Sequence, residues 1–168
     1  LSTINILNNI KKYRVYKLVF ASSSAIYGEL NEPLGEETGP LLPISNYGAG
    51  KLSSEAFISA YCENYGIQTW VIRFPNVVGW RLTHGVIFDF LNKLNKDSKE
   101  LSVLGNGAQE KPYLYILDLI DAIEIITENS KKQINIFNVA SESTSKVSFI
   151  ANNVLKCLNL ESIPINYS

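Results

Sequence analysis

One histidine, two cysteines and a formal charge of only −1 mark what this 168-residue chain has little of. His84, Cys62 and Cys157 share no metal-ligand spacing, so no metal site is read from them; His84 reads as a plain loop residue and both thiols as small apolar residues in a reducing cell. There is no basic run or stripe, so binding of nucleic acid through phosphate neutralisation is not expected. The longest apolar runs are strand-length and no charged-then-apolar segment opens the chain, so no membrane span and no signal peptide is read, and a cytoplasmic location is the expectation. A further absence concerns glycine. A dinucleotide-binding fold begins with a strand, a glycine-rich turn and a helix in about 30 residues, with an acidic residue for the ribose. Gly105-Asn106-Gly107-Ala108-Gln109-Glu110 has the first two glycines but not the third, and Gly50-Lys51-Leu52 lacks the upstream glycine and the following hydroxyl of a nucleoside-triphosphate loop.

What the chain does have is enough apolar residue, 46% against 18% charged, to bury a real core close to the size of one domain. The periodicity predicts a helix over residues 3–13, then a short apolar strand over 17–21. Residues 25–45 hold Gly28, Pro33, Gly35, Gly39, Pro40 and Pro43 and read as an extended loop. A helix over 46–65 follows, expected to bury Leu52, Ala56, Phe57, Ala60 and Tyr61 and to stop at Gly66. Residues 69–73 read as a parallel strand covered on both faces. Beyond Asn76 the pattern predicts a loop to Gly85, a helix over 86–96, a strand over 101–104, a turn at Gly105-Asn106-Gly107, and a segment at 111–116 leading into a helix over 117–128. A buried strand over 134–139 precedes a last helix over 146–158, burying Val147, Ile150, Ala151, Val154 and Leu155, and the chain closes on an isolated apolar stretch.

The chemistry is concentrated in Ser45-Asn46-Tyr47-Gly48-Ala49-Gly50-Lys51. A tyrosine and a lysine four apart project from one face of a helix, where a fixed cation favours the phenolate over the phenol. That is a way to make tyrosine a working base near neutral pH. Tyr-x-x-x-Lys is also common as a half-buried ring beside a solvated amine, so its context decides. Here the strand Lys17-Leu18-Val19-Phe20-Ala21 delivers Ser22-Ser23-Ser24 at its carboxyl end, the place where open α/β sheets bind ligands.

Phe20-Ala21-Ser22-Ser23-Ser24-Ala25-Ile26-Tyr27-Gly28, then Tyr47-x-x-x-Lys51, then Arg73-Phe74-Pro75-Asn76-Val77-Val78-Gly79 resemble the extended short-chain dehydrogenase/reductase family, and within it the NAD-dependent sugar-nucleotide epimerases. The likeness runs from near residue 3 to near residue 160. It implies an α/β fold: the later part of a Rossmann-like parallel sheet over residues 1–76, carrying the triad, and part of a smaller sugar-nucleotide-binding region over 77–168, interleaved with the strand near 134–139. It implies that the chain corresponds to the middle and later part of a longer enzyme, with a sheet edge and an apolar face left open and poor solubility as the result.

The resemblance also implies roles. The triad hydroxyl lies four positions before the tyrosine of Tyr27-Gly28, which selects Ser23, beside Tyr47 and Lys51. Cofactor contacts fall on Ser22, Tyr47, Lys51, Phe74 and Pro75, the last two equally readable as buried strand-end residues. Substrate contacts fall on Ser23, Asn76 and Lys111, the lysine standing where many members have an arginine and so lacking the two-pronged grip on a diphosphate. In the mechanism so implied, Tyr47 takes the proton of the sugar 4-hydroxyl as hydride leaves carbon 4 for NAD. Lys51 bonds the nicotinamide ribose and favours the phenolate, and Ser23 relays the proton. The 4-keto sugar turns over and receives the hydride on its other face. Dehydratases of this fold place Asp-Glu directly after the triad hydroxyl, and decarboxylases a glutamate at the second of those positions. Ser24 and Ala25 stand there, leaving epimerase or reductase, with UDP-hexose 4-epimerisation as the expectation and a homodimer as the intact enzyme. The alternative is a non-catalytic piece or one half of a split protein.

Overall fold

In a computed structural model the structure describes residues 2–29 and 34–168; Pro33, part of the loop expected over 25–45, lies outside the described residues. The chain forms two compact units, one from 1–75 and 117–140, the other from 76–116 and 141–168. The segment that returns to the first unit therefore includes a helix as well as a strand.

The first unit holds helix α1 (Ser2–Tyr13), strand β1 (Lys17–Ala21), a single 3₁₀ turn (Ser24–Tyr27), helix α2 (Asn46–Tyr65), strand β2 (Gln68–Arg73), helix α4 (Ile116–Asn129) and strand β6 (Ile134–Asn138). The strands form a parallel sheet in the order β1-β2-β6. Lys17 pairs with Gln68 through to Ala21 with Ile72, and Thr69 pairs with Ile134 through to Arg73 with Asn138. β2 is central and buried from Thr69 to Arg73, as a strand covered on both faces must be. Leu7 and Ile10 of α1 pack with Ile58 and Cys62 of α2 and with Ile67, against Leu18, Phe20 and Ile134 of the sheet. β1 has a strand partner on one side only among the described residues, and Val19 within it stays 45% exposed.

α2 begins where Ser45 accepts a hydrogen bond from the Gly48 amide at 3.0 Å and ends at Gly66, whose φ of 64° is the left-handed cap that glycine adopts without a Cβ penalty. Its buried face corrects the expected one. Gly48, Glu55, Ile58 and Cys62 point inward, whereas Ala56, Phe57 and Ala60 are exposed and Leu52 and Tyr61 only half-buried. Apolar residues surround this helix, so periodicity does not select a side; the inward side is set by Glu55, which finds charged and polar partners inside.

The second unit holds β3 (Asn76–Val78), α3 (Val86–Lys96), β4 (Leu101–Val103), β5 (Glu110–Tyr115), β7 (Thr144–Lys146), α5 (Val147–Cys157) and β8 (Ile165–Tyr167). β3 runs parallel to β5, and β7 antiparallel to β5's other edge. β3 lies inside the stretch expected to be a loop. β8 corrects the expected isolated tail, since it pairs in parallel with β4, Leu101 facing Ile165 and Val103 facing Tyr167. The core is Phe90 and Leu94 of α3, Leu101 and Val103 of β4, and Val147, Ile150, Ala151, Val154 and Leu155 of α5.

Among the described residues no helix is long and apolar enough to cross a membrane. The two cysteines are free and differ: Cys62 is buried, 2.8 Å from the Thr69 hydroxyl, while Cys157 is exposed rather than packed as expected. Burial pushes the Cys62 thiol above its usual range, the bond to Thr69 opposing it. Thiolate is the nucleophile, so iodoacetamide should alkylate Cys157 alone in the folded chain and reach Cys62 only in denaturant, read by mass spectrometry. Equal labelling of both thiols under native conditions would contradict this packing.

Candidate active site

Three parallel strands deliver their carboxyl ends to one edge of the first unit, and the candidate residues lie just beyond those ends. Ser22 to Ser24 follow β1, Phe74 and Pro75 follow β2, and Val139 follows β6. Backbone bonds tie the three exits together. The Ser22 amide donates to the Ile72 carbonyl at 2.8 Å, the Ser24 amide to Phe74 at 3.1 Å and the Val139 amide to Arg73 at 2.8 Å. Phe74 and Pro75 are half-buried, and Phe74 meets the serine turn through its backbone.

Ser23 caps the 3₁₀ turn, its Oγ accepting from the Ala25 amide at 3.2 Å. The oxygen is thereby oriented, and among the described residues its proton has no acceptor. α2 comes against this turn at Gly48, where a Cβ would stand 2.4 Å from the Ala25 carbonyl oxygen and 3.0 Å from Pro43 Cβ. Only a glycine lets the start of the helix come so near the serine turn, and Tyr47 is the residue before it. Tyr47 is 60% exposed, so its side chain is open to a ligand.

Lys51 sits one turn further along α2. Its Nζ lies 5.6 Å from the centre of the Tyr47 ring and 5.2 Å from that of Phe20, and donates to the Ala21 carbonyl at 2.7 Å. The amine is thus held by the last residue of β1 and retains further protons for a ligand. Tyr47, Lys51 and Ser23 belong to one unit and lie at one sheet edge.

Ser22, expected as a cofactor contact, turns its side chain away from the edge. Its side chain is buried and its hydroxyl donates to Glu55 Oε1. Glu55 in turn receives Arg73, with Nη2 to Oε2 at 2.7 Å and Nε to Oε1 and Oε2 at 3.1 and 3.3 Å. Arg73 Nη1 donates to the Tyr27 hydroxyl at 2.9 Å and to the Glu36 carbonyl at 3.1 Å. Tyr27's own proton lies between Asn138 Oδ1, 2.8 Å away, and the Gly35 carbonyl, 3.1 Å away. Burial works against the Arg73 charge, but the bonds to Glu55 and Tyr27 prevail and hold the guanidinium above its usual value. Sequence reasoning did not single out Glu55 or Arg73 as site residues. A signal existed: Glu55 continues the four-residue series of Tyr47 and Lys51, and Arg73 follows the apolar run Trp70-Val71-Ile72 in a buried strand, an uncommon place for a charge unless it is paired.

Asn76 and Lys111 belong to the second unit. Both are exposed, and Asn76 Nδ2 donates to the Pro112 carbonyl at 3.3 Å, across the β3–β5 pair.

Comparison with known proteins places the chain in a lineage. A family model described as the NAD dependent epimerase/dehydratase family matches residues 1–140. A protein of Methanocaldococcus jannaschii named as a putative UDP-glucose 4-epimerase is 37% identical over 139 residues, covering 80% of this chain and 45% of the relative. A crystal structure of a UDP-galactose 4-epimerase superposes with a TM-score of 0.89 at 34% identity, covering 99% of this chain and 55% of that one. The UDP-glucuronic acid 4-epimerase of Bacillus cereus, solved in complex with NAD, superposes with a TM-score of 0.86 at 26% identity, over 100% of this chain and 55% of its own. The chain spans about half the length of the curated relatives it matches.

The close approach at Gly48 predicts that Gly48→Ala destabilises the first unit by about 1–3 kcal/mol, as overpacking against backbone does. Chemical denaturation measures it. An unchanged midpoint would mean that α2 can retreat from the serine turn without cost.

Proposed function

The chain belongs to the NAD dependent epimerase/dehydratase family, and on that premise we propose that it carries the catalytic triad of a nucleotide-sugar epimerase, acting by 4-epimerisation of a UDP-hexose. The observation that supports this most is the grouping at one sheet edge of an open phenol, a fixed amine and a capped serine, in Tyr47, Lys51 and Ser23. Relatives named as UDP-sugar 4-epimerases support the choice of reaction. Ser24 and Ala25 support it against water elimination, since neither supplies an acid or a base.

The residues present fit the nicotinamide end of NAD: an exposed phenol, an amine with protons to spare, and the half-buried Phe74 and Pro75 at the exit of a parallel strand. These 168 residues offer no glycine-rich turn for its diphosphate. When bound, NAD supplies a reversible hydride acceptor. In this reading Tyr47 removes and returns the proton of the reacting hydroxyl. Lys51, oriented by the Ala21 carbonyl, bonds the cofactor's ribose and stabilises negative charge on the phenol oxygen. Ser23, with its oxygen capping the turn, donates its proton toward the substrate oxygen and relays it to Tyr47. Asn76 and Lys111, both exposed in the second unit, are proposed as diphosphate contacts in their own right, Lys111 as a point charge. The intact enzyme is read as a homodimer through α2, where Phe57 is exposed.

The test is an assay of the gene product for UDP-glucose/UDP-galactose interconversion with NAD. Interconversion is expected, with Tyr47→Phe lowering kcat by about 10²–10⁴-fold, the usual contribution of a general acid–base group. A product that binds NAD yet interconverts neither sugar would sink the epimerase reading, and a Tyr47→Phe variant of full activity would sink the role of the phenol.

A further inference from the structure

The turn that carries Ser23 is tied down at both ends. On one side the buried Ser22 hydroxyl donates to Glu55. On the other, Tyr27 closes the turn and takes a hydrogen bond from Arg73 at 2.9 Å. Glu55 and Arg73 are joined to each other by a contact of 2.7 Å, with side chains only 8% and 4% exposed. Both flanks of Ser23 therefore hang on one buried ion pair. The same pair reaches the amine. Glu55 lies one helical turn beyond Lys51 on α2, and Lys51 donates to the carbonyl of Ala21, the residue before Ser22. Two consecutive residues of the strand exit are thus fastened to two consecutive turns of the helix, one by its backbone and one by its side chain.

We infer that Glu55 and Arg73 are a positioning pair for the reaction: by holding Ser22 and Tyr27 they set the Ser23 hydroxyl, and by holding the strand exit they set the Lys51 amine, in register with Tyr47. The inference rests on the proposed roles of Ser23, Tyr47 and Lys51. Stability alone does not account for the pair. Apolar side chains of similar volume commonly stabilise a protein as well as a buried ion pair, or better, because the charges must first be desolvated. An apolar pair, however, has no lone pair for the Ser22 proton and no N–H for the Tyr27 oxygen. Nor does a lysine replace Arg73, because three of its nitrogens are used at once, two on Glu55 and one shared by Tyr27 and the Glu36 carbonyl, and only a planar fork reaches all of them.

The test compares the full chain with the double variant Glu55→Met/Arg73→Met, which keeps packing volume but no polar contact, and with Arg73→Lys, which keeps the charge without the fork. Native-state hydrogen exchange is followed at the amides of Ser24 and Ala25, bonded to Phe74 and to Ser23 respectively. Exchange at these two amides is expected to accelerate about tenfold or more relative to the amides of β2, whose opening tracks global unfolding. In the turnover assay kcat is expected to fall by about 10²-fold, the cost of misplacing catalytic groups by around an ångström, with KM for the nucleotide sugar within about twofold. If the double variant does not fold, Arg73→Lys gives the same two readings. Exchange at Ser24 and Ala25 that keeps pace with β2 in a folded variant overturns the inference, as does a kcat that falls only with the folded fraction. The exchange measurement needs no turnover, so an inactive parent counts against the epimerase reading and not against the anchoring of Ser23.

Discussion

Parallel pairing is the constraint on which the first unit depends. Strands that run the same way must all end at one edge, and their amide and carbonyl groups beyond the last paired residue have to find partners there. In this chain they find one another: the exits of β1, β2 and β6 are stitched by bonds from Ser22 to Ile72, Ser24 to Phe74 and Val139 to Arg73. The result is a row of short, cross-linked turns at the edge where α/β sheets take ligands. Side chains placed on such turns inherit the rigidity of the sheet without being buried in it, which is what a proton-transfer group requires.

Against this edge α2 supplies the other half of the site. A helix lying over a sheet has few ways to bring its first turn close to a strand exit, because a Cβ stands in between. Gly48 removes it, and Ser45 caps the helix just before the approach. The tyrosine and the lysine are then set by the pitch of the helix, and the serine by the end of the strand. Two elements of different periodicity thus supply one edge, and neither alone carries all three candidate side chains.

How far this was legible in the residues follows from the range of each signal. α5 presents one apolar side, so Val147, Ile150, Ala151, Val154 and Leu155 were readable as its buried set and are buried. α2 carries apolar residues on all sides, and its inward face is decided by a charge whose partners stand 18 and 33 residues away, at Arg73 and Ser22. β3, β7 and β8 are three residues long, too short for an alternating pattern, and exist because a neighbouring strand offers an edge. The extent of α3 and of β1 was plain from period and flanking turns. For the site, spacing along a helix brought Tyr47 and Lys51 into view and position after a strand the triplet Ser22-Ser23-Ser24, from which the family resemblance selects Ser23. Ser22, one residue away from Ser23, could not be told from it by sequence pattern alone, because alternation along the strand exit is what sends one hydroxyl inward and leaves the other outside.

The contact between Lys51 and Ala21 has a different kind of consequence. The amine is steered by a backbone carbonyl, and a carbonyl is present whatever side chain occupies position 21. Substitution at that position changes the methyl group, which is exposed, and leaves the acceptor in place. The orientation of the amine is in this way insulated from mutational drift at its own partner, and control over it passes to whatever moves the strand as a whole.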